Sequence, residues 1–368
     1  MDPISGGGPR NVFTLSRLLN ESGLSTNILA FRSMRSMQFL YHILGQRVVN
    51  DFFGAKRIEP NRLLSLIYTF TSIGNNLNAF LYPIFTFNQF ILNPLMISRY
   101  SIPDIYIATN WQSFTPTLKV SKKYNIPIMY FVQADETEFS NNPVYKKEAT
   151  KTYRNQVKKF TQSKWLVDEF ENKFNIKLNY IGFGIEHNTF YPREWRLDKI
   201  IFTIARTEPT KGFHIFVNAV NRLWKIRQDF KVIIAGSRAA VNTRFIYFPF
   251  EFLGWVNNDE LLAEIYSRSI FVNTGLKEAL PMPPLEAMAC GGCVVMSANG
   301  GSVEYAKDWE NCLLTRPGND KELTETLNFI LSSESTRESV RVKAIKTAKE
   351  YVWAKVIDNF SSIIDGDI

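Results

Sequence analysis

The sequence predicts an α/β protein of two doubly wound domains that face each other across a central cleft. Short apolar runs rich in β-branched residues alternate with longer stretches of helical periodicity, a pattern typical of parallel sheets covered by helices. A loop-like stretch around Gly182 and Gly184 then precedes a fresh series of the same kind. The chain has 368 residues, which is enough for two such domains.

Both predicted domains have their own strands and helices. In the first, we predict buried strands over Asp104–Thr109 and Ile126–Gln133, with a helix over Ser113–Asn125 between them. In the second, four apolar runs are predicted as strands: Lys199–Ala205, Phe230–Gly236, Ser269–Thr274 and Cys293–Ser297. The predicted helices of that domain are Gly212–Gln228, Asn258–Ser269, Pro283–Cys290 and Ser302–Asp308.

The domain boundary is predicted near residue 190. This gives a first domain over residues 1–190, a second over 191–350, and a C-terminal helix over 351–368 that crosses back to the first domain. Only "MDPIS" precedes the first glycines, so we expect the first sheet to lack its opening strand or the chain to begin further upstream. Ligands of such sheets bind at the carboxyl ends of the strands, so we expect the functional residues there.

Charge and composition narrow the class of partner. The chain has 43 Lys and Arg against 35 Asp and Glu, a net charge of +8, which favours an anionic partner such as a phosphate-bearing ligand or an acidic membrane surface. Basic residues form no long run, so a nucleic acid is disfavoured. The hydrophobic fraction of 45% excludes a disordered chain. Three cysteines and no secretory signal indicate a reducing, cytoplasmic setting.

One apolar segment, Leu63–Ile97, bears on the membrane question. Gly74, Pro83 and Pro94 interrupt it, so it is predicted as two amphipathic or buried pieces rather than a spanning helix of about 20 residues. Together with the positive charge it predicts peripheral attachment to the inner membrane face. Core helices beneath a basic surface explain the same residues equally well.

Two loops have the residue types that bind phosphate. "SGGGPRN", Ser5–Asn11, precedes a helical pattern, and a glycine loop that opens a helix can present backbone N–H groups to phosphate. A flexible terminus would look the same. "IARTEPTKG", Ile204–Gly212, ends a strand, and its Arg206 and Lys211 suit a diphosphate. A solvated charged loop is the alternative.

Two glutamates flank a helix start in "KEALPMPPLEAMACGG", Lys277–Gly292. Carboxylates accept hydrogen bonds from sugar hydroxyls, so Glu286 could bind a ribose diol and Glu278 a second sugar. The helix N-terminus between them favours phosphate. By spacing alone, a first-turn glutamate stabilised by the helix dipole explains Glu286 as well.

The cysteines and histidines give no catalytic or metal pattern. Cys290 and Cys293 follow a helix, whereas redox pairs precede one, and no second pair completes a zinc site. We therefore predict that they are buried and catalytically idle. The histidines His42, His187 and His214 are scattered.

These motifs, in this order, resemble those of the retaining glycosyltransferases of family 4. "IARTEPTKG" is similar to that family's strand, Arg, loop and Lys-Gly segment, and "EALPMPPLEAMACGG" to its pair of glutamates. "ANGGSVEYAKDWENCLLTRPGND" is similar to the family's downstream Gly-Gly, Glu and Pro-Gly segment. The resemblance runs from about Ser5 to the C-terminus and is strongest over Lys199–Asp320. "IATNWQS", "YFVQADETEF" and "SKWL" resemble a branch that includes rhamnosyltransferases.

The resemblance implies the GT-B architecture of two Rossmann-like domains, and a role for each matching residue. Arg206, Lys211 and Glu278 would form the catalytic set, with the first two on the donor diphosphate and Glu278 on the donor sugar. Glu286 would bind the ribose. The remaining implied donor contacts are Leu280, Met282, Pro283 and Leu285. The implied phosphate or acceptor loop is Gly6, Gly7 and Gly8, and the acceptor side is Asn110, Trp111, Gln133, Asp135 and Glu136. No metal or other cofactor is implied.

The chain also departs from the family pattern. Members usually have E-G-F-G-L-P after the first glutamate, and here Pro281 lacks the N–H that a glycine often donates there. Many members carry a histidine after the strand that corresponds to Asp104–Thr109, where this chain has Asn110 and Trp111.

The resulting expectation is a hexosyl or deoxyhexosyl transferase that uses a nucleotide-diphosphate sugar and a glycan or lipid-linked acceptor. A sugar-nucleotide epimerase of the same architecture and a non-catalytic sugar-nucleotide binding protein are the alternatives. A phosphorylase on pyridoxal phosphate would need a Schiff-base lysine, which the sequence does not single out.

Overall fold

The computed structural model describes residues 7–24, 26, 103–193 and 198–365. Gly6 and the segment Leu63–Ile97 lie outside the described residues. The described chain divides into two compact units, one comprising the residues up to Tyr130 together with Glu148–Val157, the other Phe131–Lys147 together with the residues from Lys158 onward. The domain boundaries placed near residues 190 and 350 stay predictions.

The first unit contains the predicted strand, helix and strand. Helix α1 is Gly7–Glu21, strand β1 is Tyr106–Ala108, helix α2 is Trp111–Tyr124, and strand β2, Ile128–Phe131, leads into the second unit. β1 and β2 are parallel, with Tyr106 opposite Ile128. The chain turns out of α2 at Asn125, whose φ of 54° is tolerated by asparagine. Both strands are shorter than predicted because the ladder stops where the chain turns toward the loops.

The start of α1 differs from the prediction. The sequence predicts a glycine loop followed by a helix from Val12, whereas the helix begins at Gly7. Gly7 and Gly8 therefore belong to the first helical turn and form no separate loop. The four amides at the start of a helix have no partner inside it, so this turn can tolerate glycine at a modest cost.

The second unit begins with elements that the sequence did not predict. Helix α3 is Pro143–Tyr153, which the division between the units crosses, and it is followed by strand β3, Lys158–Thr161, helix α4, Lys164–Phe174, and strand β4, Asn179–Tyr180. β3 and β4 are parallel, with Phe160 opposite Asn179. The Val132 N–H donates to the Phe160 carbonyl at 2.8 Å, just beyond the end of β2. Two lysines begin β3, which hides its strand character from a hydropathy pattern.

A six-stranded parallel sheet forms most of the second unit. Its strands are β5 Ile200–Ala205, β6 Lys231–Gly236, β7 Glu251–Gly254, β8 Ile270–Asn273, β9 Cys293–Ser297 and β10 Leu313–Thr315. The order across the sheet is β10-β9-β8-β5-β6-β7. The strand order therefore reverses beside β5, which has β6 on one side and β8 on the other. Such a switch point is where ligands bind in open α/β sheets.

Helices cover both faces of this sheet. They are α5 Phe213–Ile226, α6 Asp259–Ser267, α7 Met282–Ala289, α8 Asp320–Ser332 and α9 Glu334–Ala348. Successive strand residues point to opposite faces, so Ile201 packs in one hydrophobic cluster with α5 and α8 while Phe202 packs in a second with α6 and α7. The helix predicted over Ser302–Asp308 is wrong: the chain makes a 3-10 turn over Gly300–Glu304 instead. A capping box between Asn299 and Ser302 closes that turn.

The last helix, α10 Trp353–Asp365, lies against β3. The Phe360 and Phe160 rings meet edge to face with centroids 5.2 Å apart, and the Lys158 Nζ donates to the Ile363 carbonyl at 2.7 Å. A Cβ on Gly184 would lie 2.6 Å from the Trp353 backbone nitrogen, so only glycine permits this approach. The C-terminal helix thus packs on a part of the chain that precedes residue 190.

Candidate active site

The loop after β5 carries two of the predicted residues. Arg206 follows the strand directly, Pro209–Lys211 form a 3-10 turn, and Gly212 begins the turn into α5 with a φ of 66°. A Cβ on Gly212 would lie 2.1 Å from the Thr274 carbonyl oxygen, so both the conformation and the space require glycine. Arg206 and Lys211 therefore lie on the strand-end loop that the sequence predicts.

The loop after β8 is bonded to the loop after β5. The Leu276 N–H donates to the Thr210 carbonyl at 2.7 Å, and the Thr274 hydroxyl donates to the Gly212 carbonyl at 2.9 Å. Because β5 and β8 are adjacent parallel strands, both loops emerge at the same edge of the sheet. The switch point is thus built from two loops that hold each other in place.

Glu278 lies on this second loop and meets Lys211. The Lys211 Nζ forms an ion pair with the Glu278 Oε2, and Glu278 is only 9% exposed. Its other carboxylate oxygen, Oε1, is buried and accepts no hydrogen bond within the described part of the chain. A Cβ on Gly275 would come within 2.0 Å of this Oε1, so the glycine leaves room for the carboxylate. Two residues 67 positions apart in sequence are therefore brought together as one site.

Glu286 has a different environment. It lies inside α7, is 7% exposed, and is one of the groups whose negative charge raises the pKa of the Cys290 thiol, after burial itself. Helix α7 begins after Pro281, with prolines also at positions 283 and 284. Of the four backbone positions that offer free N–H groups at a helix start, Met282 is thus the one with an N–H. The helix dipole remains, but its usual set of amide donors is reduced to a single group.

The implied donor contacts divide into core and surface. Leu285 is fully buried and Met282 is 9% exposed, and both side chains belong to the hydrophobic cluster beneath α7. Leu280 and Pro283 are half-buried. The side chain of Leu285 therefore packs in the core, and any contribution from this residue to a ligand would come from its backbone.

Arg206 has two neighbours that the sequence reasoning missed. Its guanidinium lies 3.1 Å from the Glu208 carboxylate and stands over the Trp255 ring at 5.4 Å from the centroid. Burial tends to raise the pKa of Glu208, but hydrogen bonds from Arg206 outweigh it and hold that pKa below its ordinary value. Glu208 was visible inside "IARTEPTKG", whereas Trp255 follows β7, a strand that was not predicted.

Three of the residues implied for the acceptor side lie in the second unit: Gln133, Asp135 and Glu136. Asp135 uses both carboxylate oxygens: Oδ1 accepts from the Thr137 amide at 3.0 Å and hydroxyl at 2.6 Å, and Oδ2 pairs with Lys173. Its side chain is 2% exposed, so it faces the protein interior. Gln133 and Glu136 are half-buried. The implied acceptor role of all three stays a prediction.

In the first unit, Asn110 and Trp111 stand at the start of α2. The Ser113 N–H donates to the Asn110 Oδ1 at 2.8 Å, which caps the helix, and Trp111 is 6% exposed. Asn110 thus has a structural function that its position before a helix would have indicated. Their role toward an acceptor is untested.

The two thiols at the end of α7 and the start of β9 are buried. Cys290 and Cys293 are 1% and 6% exposed and form no disulfide. Burial raises the pKa of Cys290 well above its ordinary value and that of Cys293 to about 12. Both are therefore protonated at neutral pH, and their catalytic idleness stays a prediction.

A glutamate of the downstream segment links distant elements. The Glu304 carboxylate accepts from the Tyr180 hydroxyl at 2.6 Å and from the Lys164 N–H, at the start of α4, at 2.9 Å. Burial raises the pKa of Glu304 above its ordinary value, with the hydrogen bonds opposing this effect. Tyr180 lies on β4, so this contact was not visible from sequence.

Comparison with known proteins agrees with this geometry. Residues 191–349, somewhat less than half of the chain, match the family model described as glycosyl transferases group 1. This match confirms the resemblance for the part of the chain that contains Arg206, Lys211 and both glutamates. It does not address the retaining mechanism or the rhamnosyltransferase branch.

Individual relatives extend the comparison. The chain is 24% identical over 200 residues to the serotype-specific mannosyltransferase WbdA of Escherichia coli, a match that covers 50% of this chain and 24% of that protein. The chain thus spans about a quarter of that relative's length.

Solved structures agree on the fold. A glycosyltransferase from Rickettsia africae is similar with a TM-score of 0.69 at 17% identity, covering 99% of this chain and 97% of that one. Anabaena HepE, solved in complex with UDP and glucose, has a TM-score of 0.62 at 18% identity and covers 72% of this chain and 78% of its own. The α/β fold with parallel sheets and GT-B neighbours is thereby confirmed. Within the described residues, no helix combines the length and apolar character that a membrane crossing needs.

Proposed function

We propose that the protein is a retaining glycosyltransferase that moves a hexosyl or deoxyhexosyl group from a nucleotide-diphosphate sugar to a glycan or lipid-linked acceptor. The observation that carries the proposal is the meeting of Lys211 and Glu278 at the switch point beside β5. A cation for a diphosphate and a carboxylate for a sugar lie in contact there. The family match over residues 191–349 supports the same conclusion.

In this proposal Lys211 exchanges partners when the donor binds. Its ammonium moves from the Glu278 carboxylate to the donor diphosphate, where it offsets the negative charge that grows as the bond to the sugar breaks. Arg206, which can fork two oxygens, acts on the same diphosphate. Glu278 is then free to accept hydrogen bonds from sugar hydroxyls, and its unused buried Oε1 already needs a donor.

Glu286 has the proposed role of holding the ribose. The ribose belongs to the donor and to the released nucleotide alike, so Glu286 contributes to the binding of both. Glu278, by contrast, contacts the sugar that is transferred. In this proposal Glu286, on the helix, contributes to nucleotide binding, and Glu278, on the loop, contributes to the rate of transfer.

The transfer itself needs few protein groups. The acceptor hydroxyl oxygen bonds to the anomeric carbon on the face from which the diphosphate departs, the bond from that carbon to the phosphate oxygen breaks, and the hydroxyl proton passes to the leaving phosphate. Retention of configuration follows from the shared face. The nucleotide-diphosphate sugar acts as substrate, and we expect no requirement for a metal ion or other cofactor.

For the acceptor we propose a lipid-linked molecule at the cytoplasmic membrane face. The net charge of +8 supports attraction to anionic lipids. Flotation with vesicles of phosphatidylglycerol and phosphatidylcholine tests the attachment. Absence of binding at low salt would contradict it.

One observation favours a second candidate. Prolines at positions 281, 283 and 284 leave Met282 as the single free amide at the start of α7, which weakens phosphate binding there. A non-catalytic sugar-nucleotide binding protein would tolerate this loss better than an enzyme.

The two candidates are separated by incubating the protein with a panel of nucleotide sugars and following both donor hydrolysis and transfer. Thermal shift with the same panel identifies the donor first. Release of the nucleoside diphosphate with an α-linked product from an α-linked donor supports the enzyme. Binding without turnover of any donor, with or without acceptor, supports the binding protein.

A further inference from the structure

We propose that Lys277 is a positioning residue that anchors the turn carrying Glu278, so that turnover depends on it while nucleotide binding does not. The proposal rests on the proposed sugar transfer, because Glu278 is the group whose position is at stake. Lys277 adjoins Glu278 in sequence, but the motif alone gives it no role.

The contacts of Lys277 are with residues outside the loops after β5 and β8. Its Nζ donates to the Glu138 Oε1 at 2.7 Å and to the Glu169 Oε1 at 3.1 Å, and it stands 5.2 Å from the centroid of the Trp165 ring. These partners lie just after β2 and on α4, far from Lys277 in sequence. The two carboxylates that hold this ammonium lie outside the loops after β5 and β8, so we assign Lys277 to them rather than to the donor diphosphate.

The other side of Glu278 is anchored as well. The Ser163 hydroxyl, at the start of α4, donates to the Ala279 carbonyl at 2.6 Å, and the Gly301 N–H donates to the Glu278 carbonyl at 2.8 Å. A Cβ on Gly301 would lie 1.8 Å from the Ala279 carbonyl oxygen, so the chains touch closely here. Both sequence neighbours of Glu278 are thus hydrogen-bonded to other segments. Ala279 accepts from Ser163 at the start of α4, and Lys277 donates to Glu169 on α4 and to Glu138.

The anchor belongs to a chain of alternating charges. Lys173 binds Asp135 and Glu138, and Lys277 binds Glu138 and Glu169, so each ammonium lies between two carboxylates. Burial opposes the charged form of Glu138 and of Lys277. Their hydrogen bonds outweigh burial and keep the pKa of Glu138 below, and that of Lys277 above, the ordinary value. The pair therefore stays ionised around neutral pH, and the anchor is expected to be insensitive to pH there.

The same carboxylates raise the question of a metal ion. Ligand atoms of Asp135, Glu138 and Glu169 lie within 4.8 Å of one another. Lys173 and Lys277 already neutralise most of this negative charge, which removes the main attraction for a divalent cation. We therefore assign the cluster a positioning role, and metal binding becomes an outcome of the test.

The test compares Lys277→Met with Lys277→Arg in the full chain. Methionine keeps the length of the side chain but removes the charge, whereas arginine can bind both carboxylates. A displacement of about 1 Å at a reacting group can cost on the order of a hundredfold in rate, so Lys277→Met should lower kcat about tenfold to a hundredfold. The donor KM and the Kd for the nucleoside diphosphate should change less than about twofold, and Lys277→Arg should recover most of the rate.

A matched control and a cycle sharpen the result. Lys307→Met removes an exposed lysine that pairs with Glu310 at 3.5 Å within its own turn, and it should leave kcat unchanged. Glu169→Gln should lower kcat in the parent. It should lower kcat little further in the Lys277→Met background, because both changes break the contact between Lys277 and Glu169.

A readout that needs no activity follows the anchor itself. Hydrogen exchange of the amides from Glu278 to Leu280, and of the Gly301 amide, should speed up in Lys277→Met and return toward the parent value in Lys277→Arg. If the parent transfers no sugar, the proposed function fails while this measurement still judges the anchor.

Three results would overturn the inference. The first is a Lys277→Met variant with the parent's kcat and the parent's amide exchange. The second is a loss of nucleoside diphosphate affinity as large as the loss of rate, which would make Lys277 a binding residue. The third is saturable binding of Mg²⁺ or Mn²⁺ to the parent that Glu169→Gln abolishes.

Discussion

Glu278 and Glu286 are eight residues apart and almost equally buried, at 9% and 7% exposure, yet they stand in different surroundings. Glu278 lies on an irregular loop, paired with Lys211 and held from both sides by other segments. Glu286 lies inside α7, a regular helix whose backbone sets the direction of the side chain. Burial alone therefore does not indicate what a carboxylate does. Two features distinguish the glutamates: the charged partner and the backbone element that carries the side chain. In the proposed function, the loop position of Glu278 suits the sugar that is transferred, and the helix position of Glu286 suits the ribose, which stays on the nucleotide.

The largest expected effect comes from removing Glu278. Glu278→Gln should raise the activation free energy of transfer by about 1.5–3 kcal/mol, as for a lost hydrogen bond to a charged group. This corresponds to a kcat that is roughly tenfold to 150-fold lower. Free nucleotide affinity should stay equal or rise, because Lys211 loses its competing partner. Steady-state kinetics with titration calorimetry measures both. A fall in nucleotide affinity with an unchanged kcat would reverse the assignment.

Next in size is the loss of Lys211. Lys211→Ala should weaken the donor and the nucleoside diphosphate together by about 1.5–3 kcal/mol, since the diphosphate is common to both. It also leaves the buried Glu278 carboxylate without its cation, so the melting temperature should fall. Lys199→Ala, which removes an exposed lysine paired with Asp229, is the control and should change neither quantity. Unchanged nucleotide affinity in Lys211→Ala would remove this residue from the donor site.

A smaller effect is expected from Gly275→Ala. The new methyl group would come within 2.0 Å of the Glu278 Oε1, and the carboxylate would have to shift. Because a flexible side chain can yield, kcat should fall about tenfold at most, by analogy with other small misplacements at reacting groups. Nucleotide affinity and Glu286 should be unaffected. Two results together would show that the space beside Gly275 is not needed. They are a parent-like kcat and a crystal structure of the variant in which Glu278 keeps its position.

The smallest effect is expected at the thiols next to Glu286. A Cys290→Ala, Cys293→Ala variant should retain kcat within about twofold and lose at most about 1 kcal/mol of stability per site, since only small buried groups are removed. Loss of turnover with an unchanged melting temperature would give the thiols a role that their raised pKa values argue against.

The sequence predicts the long buried strands of the second unit and the site residues that follow them, but not the short strands. Strands β5, β6, β8 and β9 are apolar runs buried on both faces, so hydropathy identified them. The loop residues Arg206 and Lys211 and the helix start at Pro283 followed from those strands. Strands β3, β7 and β10 were missed because they are short or carry charged residues at their edges.

The pairings could not be predicted, since they depend on which loops meet. Lys211 with Glu278, Lys277 with Glu169 and Tyr180 with Glu304 join residues that are far apart in sequence. The three-carboxylate cluster was missed for the same reason. Conversely, the capping function of Asn110 has a local signature, a polar residue directly before a helix, and it was overlooked in favour of an acceptor role.

The division of the donor between the two glutamates is tested most directly by titrating nucleoside diphosphate into Glu278→Gln and Glu286→Gln by calorimetry, at one pH and salt concentration. We expect Glu286→Gln to lose about 1.5–3 kcal/mol of nucleotide affinity, as for a lost hydrogen bond to a charged group, and Glu278→Gln to bind the nucleotide at least as tightly as the parent. Loss of nucleotide binding in Glu278→Gln together with parent-like binding in Glu286→Gln would contradict the account.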